Sequence, residues 1–118
     1  MITTDVQYCG RSVLVSIDGR LEGNAGRAFE LALDDVSPDV RVLMVDLHGM
    51  AFMDAEGLLQ LLELHRRAEG LGLRVLIVGW QPQPQQLVAD MVGIPGAGSA
   101  PGERFTLAGF RLLAEERA

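Results

Sequence analysis

Lysine is missing altogether: all ten basic residues of this 118-residue chain are arginine, against sixteen Asp and Glu, for a formal net charge of −6. Without lysine there is no P-loop, whose lysine reaches the nucleotide phosphates, and no Schiff-base chemistry from a side chain of the protein. A single cysteine, Cys9, leaves no internal disulfide and no Cys-rich zinc site. Only His48 and His65 supply imidazoles, too few for most histidine-based catalysis. No run of apolar residues approaches the ~20 needed to cross a bilayer. Met1-Ile2-Thr3-Thr4-Asp5 does not read as a signal peptide, so a cytoplasmic location and no direct membrane insertion are expected. The acidic balance also argues against nucleic acid, because no basic stripe is present to displace counterions from phosphates.

What is present is apolar and patterned. The chain is 48% hydrophobic and 22% charged, the profile of a globular domain. At this length one domain spanning 1–118 is expected, burying roughly two-thirds of the unfolded surface. Val13, Val15 and Ile17 alternate with Ser12, Leu14, Ser16 and Asp18, a half-buried strand. Val6–Cys9 before it and the turn residues Gly10-Arg11 make a hairpin, and Gly19 is expected to end the second strand. Asn24 can cap a helix running to about Val36, with Ala28, Leu31, Ala32 and Val36 on its apolar stripe, stopped by Ser37-Pro38. Val40 to Leu47 is almost continuously apolar, as in a covered central strand. A loop over His48–Met53 then leads to a long helix, about Ala55 to Glu69. Leu58, Leu61, Leu62 and His65 share one face of it, and Gly70 is expected to close it in the left-handed conformation. Leu73–Val78 is a second buried strand, parallel to the first because a helix separates them. A short helix over about Gln85–Met91 follows the Gln/Pro stretch at 80–86. Residues 95–104 have the composition of a flexible loop, and 105–118 are expected to hold a C-terminal helix carrying Phe110, Leu113 and Ala114 to the core. The architecture expected is α/β, a mixed sheet of four to five strands with helices packed on it.

In open parallel sheets, functional loops gather beyond the carboxyl ends of the strands. Here that place is the segment from His48 to Gly57. Met50, Ala51, Phe52 and Met53 are apolar where a loop is usually polar, so they either fold under the helix or form a sticky surface. Burial is the plainer reading for Phe52; for Met50 and Met53 the two are evenly balanced. Asp54 is placed to cap the long helix, and Glu56 in the first turn gains from the helix dipole. Gly57 in a first turn is unfavourable relative to alanine unless another segment approaches closely.

Val42-Leu43-Met44-Val45-Asp46-Leu47, then Phe52-Met53-Asp54-Ala55-Glu56-Gly57-Leu58, then Leu61-Leu62 and the strand after Gly72, together resemble the STAS domain, and within it the bacterial anti-sigma factor antagonists. Gly19-Arg20-Leu21-Glu22 is similar to the family's Gly-x-Leu-Asp turn, with Glu for Asp. Gly79, Pro82 or Pro84, Leu87 and Gly93-Ile94 resemble its third helix. The resemblance covers about 4–94, and Phe105-Thr106-Leu107 is the one candidate for the family's final strand. It implies a non-catalytic regulatory module with no cofactor and no metal, which docks on an anti-sigma factor of the histidine-kinase-like ATPase fold. The partner-binding residues so implied are Met50, Phe52, Met53, Asp54, Ala55, Glu56 and Gly57. In that family a Ser or Thr directly after the loop aspartate is phosphorylated, which places about two negative charges in the interface and abolishes binding.

Ala55 holds that position here and cannot be phosphorylated, and no Ser or Thr lies between Ser37 and Ser99. Glu56 carries one charge and a different shape from phosphate, a poor imitation. The alternative implied by the resemblance is an accessory subunit of a membrane transporter of the phospholipid-trafficking ABC type, packed on a transporter ATPase subunit without phosphorylation. An enzyme using His48, Asp54 and Glu56 with a divalent cation is disfavoured, because residues two apart on a helix point to different sides. His65 reads as structural, Cys9 as a buried thiol, and Trp80 as either an exposed anchor or a lid on the core. Arg66 and Arg67 are expected to reach Glu63, Glu69 or Glu56.

Overall fold

The computed structural model of the chain describes residues 2–22, 26–34 and 36–92, together with Phe110, Arg111 and Leu113. The strongest alternation in the sequence sets its centre. Strand β2 (Ser12–Leu21) buries Val13, Val15 and Ile17 and leaves Ser12, Leu14 and Ser16 half-covered on the opposite face. Strand β1 (Ile2–Cys9) pairs with it antiparallel, from Ile2↔Gly19 to Cys9↔Ser12, with Gly10-Arg11 as the turn.

On the other side of β2 lies β3 (Val42–Asp46), parallel to it, and beyond that β5 (Arg74–Val78), parallel again. Helix α1 (Gly26–Asp34) makes the first crossover, and α2 (Ala55–Gly70) lies within the second. Leu43, Val45 and Ile77 continue the buried face of β2. Phe29, Leu33, Leu58, Leu61, Leu62 and Ala68 of the two helices belong to the same core. Helix α3 (Pro82–Val92) follows β5. Phe110 and Leu113, in a further helical stretch, also join the core. The result is a single α/β domain with a mixed sheet of five strands, the expected class.

Several local expectations are corrected. Gly19 does not end β2: it takes φ 104 at a register shift, and the strand runs on to Leu21. Glycine takes that φ without strain, and beyond it the strand continues beside a new partner. That partner is β4 (Met50–Met53), which pairs parallel with Gly19–Leu21 where a loop was expected. Leu31 is exposed, because α1 turns Phe29 and Leu33, at i, i+4 spacing, inward and Leu31 lies off that face. The left-handed residue after α2 is Gly72 (φ 84), two residues beyond Gly70. Helix α3 starts at Pro82 rather than Gln85, since proline fits the first helical position, where its missing N–H is not needed. Cys9 is exposed at the end of an edge strand. The 95–104 loop, the strand candidate at 105–107 and Ala114 lie outside the described residues.

Candidate functional site

The junction of β4 and α2 is built from its floor upward. Met50 and Met53 are fully buried, so both serve the core and neither offers a side chain to a partner. Between them Ala51 is exposed and Phe52 only half-covered, short of the burial expected for that phenylalanine. The reason is the strand itself. Gly19 pairs with Met50 and Arg20 with Phe52, so Ala51 is an extra residue that breaks the alternation, and the two methionines, three apart, both take the inner side.

Asp54 is the N-cap of α2, with extended φ −97 and ψ 177 and its Oδ1 accepting from Gly57 N–H at 2.7 Å. Its own N–H donates to Leu21 O at 3.2 Å and its carbonyl accepts from Leu58 N–H at 2.9 Å, so the residue is tied to β2 and to the helix at once. Gly57 is buried against the same strand. A Cβ there would collide with Leu21 O and lie 2.8 Å from Leu21 C, both backbone atoms that cannot swing away. That is the close approach its position implied. Ala55 and Glu56 are exposed, and Glu56 is the one acid in the first turn, where the helix dipole favours it.

Two residues outside the expected set complete the site. Arg20, opposite Phe52 in the β2–β4 register, lays its guanidinium 4.3 Å from the ring centroid, and its Nε is 3.0 Å from Glu22 Oε1. Gln83, from the first turn of α3, makes two 2.8 Å bonds to Met53: Oε1 accepts from its N–H and Nε2 donates to its carbonyl. Neither was readable without β4. Arg20 was visible only as part of a turn motif, and Gln83 lies thirty residues from its partner.

His48 is exposed and donates its backbone N–H to Asp46 Oδ1 at 2.9 Å. Among the described residues no cluster of three or more His, Cys, Asp or Glu could hold a metal ion, which removes the trio His48, Asp54 and Glu56 as a metal site. His65 is partly buried, edge-on to Phe110 at a centroid distance of 5.4 Å. Burial lowers its pKa; Glu69 pulls the other way and Arg111 reinforces the lowering. Trp80 is buried against Phe110 at 5.6 Å, a lid on the core rather than an anchor in solvent. Arg66 lies 3.9 Å from Glu63, and Arg67 lies 3.8 Å from Glu30 on α1 rather than near an acid of its own helix. No helix among the described residues is long and apolar enough to cross a membrane.

The family model described as "Mlab, STAS domain" matches residues 4–93. None of the curated proteins matches the chain. Among solved structures, an anti-sigma factor antagonist from Mycobacterium paratuberculosis superposes with a TM-score of 0.57 at 20% identity, covering 94% of this chain and 95% of that one. The anti-sigma factor antagonist SpoIIAA in its unphosphorylated form gives 0.55 at 16% identity, covering 94% and 98%. The murine anion transporter Slc26a9 gives 0.60 at 18% identity, covering 93% of this chain but 18% of the transporter. The chain spans about a fifth of the length of the Mglu chains it is also similar to (20% and 22%). At these identities the likeness is one of fold.

Proposed function

Since the chain belongs to the STAS domain family, we propose that it is a non-catalytic docking module of the anti-sigma factor antagonist kind, working without a phosphorylation switch. Its docking surface is the ledge formed by Ala51, Phe52, Asp54, Ala55 and Glu56, with Arg20 stacked on Phe52. Met50, Met53 and Gly57 act from beneath by fixing the backbone. The observation that carries this reading is the exposure of Ala55 directly after an N-cap aspartate tied to both β2 and α2. A rigid scaffold displaying small side chains at a strand-to-helix junction suits recognition by shape. The methyl group of Ala55 has no hydroxyl to phosphorylate, so the surface stays open to its partner. The partner so inferred is an anti-sigma factor of the histidine-kinase-like ATPase fold.

The same alanine favours a second reading, an accessory subunit seated on a transporter ATPase subunit, since that role needs no phosphate. Affinity capture from native lysate, comparing wild type with Asp54→Arg, separates the two. Recovery of a histidine-kinase-like ATPase that disappears with Asp54→Arg supports the antagonist. Recovery of a transporter ATPase, lost in the same way, moves the assignment to the accessory subunit. Retention of every captured protein by Asp54→Arg removes the ledge as the docking surface.

A further inference from the structure

Of the four glutamines in residues 80–86, Gln86 bonds to the Asp90 side chain at 2.9 Å and the other three to the backbone. Gln81 Nε2 donates to Gly79 O at 3.1 Å and Gln85 Nε2 to Trp80 O at 2.8 Å. Gln83 differs in making two bonds, and in making them to another element. A carboxamide carries the same donor and acceptor as a peptide group, so Gln83 offers Met53 what a neighbouring strand would.

Met53 has need of it. On the β2 side, Leu21 O is taken by Asp54 N–H, while Met53 turns both its main-chain groups to the other side. Among the described strands β4 pairs only with β2, so its outer edge would otherwise be open. An edge left unpaired in a part-buried place is unfavourable. Gln83 closes it from the first turn of α3, immediately after Pro82.

We propose that Gln83 is the positioning residue of the candidate site. By pinning both peptide groups that flank the Met53 Cα, it sets the direction in which the chain enters Asp54. That in turn fixes the cap on Gly57 and the presentation of Ala55 and Glu56. Helix α3 is thereby part of the same unit as the ledge. The consequence for binding rests on the docking reading above, whereas the geometric claim concerns the free chain alone. Asparagine is one methylene too short to make both bonds from the same backbone position. Leucine keeps most of the volume with neither bond, and glutamate keeps the acceptor without the donor.

The test is amide exchange and backbone chemical shifts of the isotopically labelled full chain, with no partner present. In Gln83→Leu, the Met53 amide should exchange about tenfold faster, and the Gly57 amide resonance, set by the charge-assisted bond that its N–H donates to Asp54 Oδ1, should move. Gln81→Ala, in the same segment, should leave both as in wild type. A general loosening of α3 would alter helix amides but not the Gly57 resonance, so that resonance separates positioning from mere support. Wild-type exchange at Met53 and an unmoved Gly57 in folded Gln83→Leu overturn the proposal. Should that variant not fold, Gln83→Glu decides at neutral pH. Met53 N–H is then expected to stay protected while the Met53 carbonyl and Gly57 amide shifts move, and wild-type values for those two shifts overturn the proposal. Failure to capture a partner leaves this result untouched, and loss of the clamp leaves the capture result untouched.

Discussion

The two ends of α2 are held differently, one to other elements of the fold and one to its own last turn. At the N-terminal end the backbone is held directly: Asp54 bonds to Gly57, Leu21 and Leu58, Gly57 lies against Leu21, and Met53 is gripped by Gln83. Of the side chains presented there, Ala51 and Ala55 are short, Phe52 is stiff and Arg20 is laid on the Phe52 ring, which leaves Glu56 as the long flexible one. Toward the C-terminal end the backbone closes on its own last turn, with Leu71, Gly72 and Leu73 N–H donating to carbonyls of Arg67, Ala68 and Glu69. The other contacts run between side chains: Arg66 on Glu63, Arg67 on Glu30 and His65 between Glu69 and Phe110. The first end has a backbone fixed before any partner arrives, so docking there requires freezing fewer long rotamers. At the second end a partner would have to order arginines and glutamates whose exposed pairs contribute little. One helix thus carries a recognition end and a solvated end, and substitutions should affect them differently.

The largest contrast is expected from the same substitution made at each end. In Gly57→Ala the new methyl meets the Leu21 backbone, and overpacking of this kind costs about 1–3 kcal/mol, only partly offset by the better helix propensity of alanine. In Gly70→Ala the methyl meets nothing within 4 Å, so stability should be unchanged or rise by up to about 1 kcal/mol. Urea denaturation of the two variants measures both. Equal changes would break the distinction between the ends.

A smaller effect separates the geometry of the cap from its charge. Asp54→Ala removes the acceptor for Gly57 N–H and should cost about 1 kcal/mol. Asp54→Asn keeps an acceptor oxygen and should stay within a few tenths of wild type. If both variants lose the same stability in urea, the carboxylate charge near the helix dipole, rather than the hydrogen bond, holds this end.

How much of this was legible follows from how local each signal is. The hairpin, the parallel strands and α2 with Asp54 at its start rest on period and capping within a few residues, and all are visible in the sequence. Gly57 was legible as an anomaly, since glycine in a first turn asks for a reason, although Leu21 as that reason was not. Strand β4 was hidden because four residues are too few for an alternation to register, and because Gly19 read as a terminator when it is a bulge. Everything that depends on β4 was hidden with it: the burial of Met50 and Met53, the Arg20–Phe52 stack and the role of Gln83. Cys9 and Leu31 went the other way, to solvent, because apolar character alone does not say which side of an edge strand or helix a residue takes.

The smallest expected effect lies at the solvated end and is a matter of pH. His65 has its imidazole edge-on to Phe110 and Nδ1 3.1 Å from Glu69 Oε1, with Arg111 also acting on it. Burial disfavours the charged ring more than Glu69 favours it, so its pKa in the fold lies below 6.5. The unfolded chain then binds more protons than the folded one in the window just below 6.5, and there stability rises with pH. It should level off above that window and decline as pH falls through the folded pKa, because the protonated ring loses more by burial than the carboxylate returns. Urea midpoints between pH 5 and 8, compared for wild type and His65→Gln, isolate the contribution of this histidine. A shallower slope in His65→Gln locates the dependence in this ring. An identical slope would mean that Glu69 compensates its burial in full, and the solvated end would then contain one ion pair strong enough to set against the backbone contacts of the other.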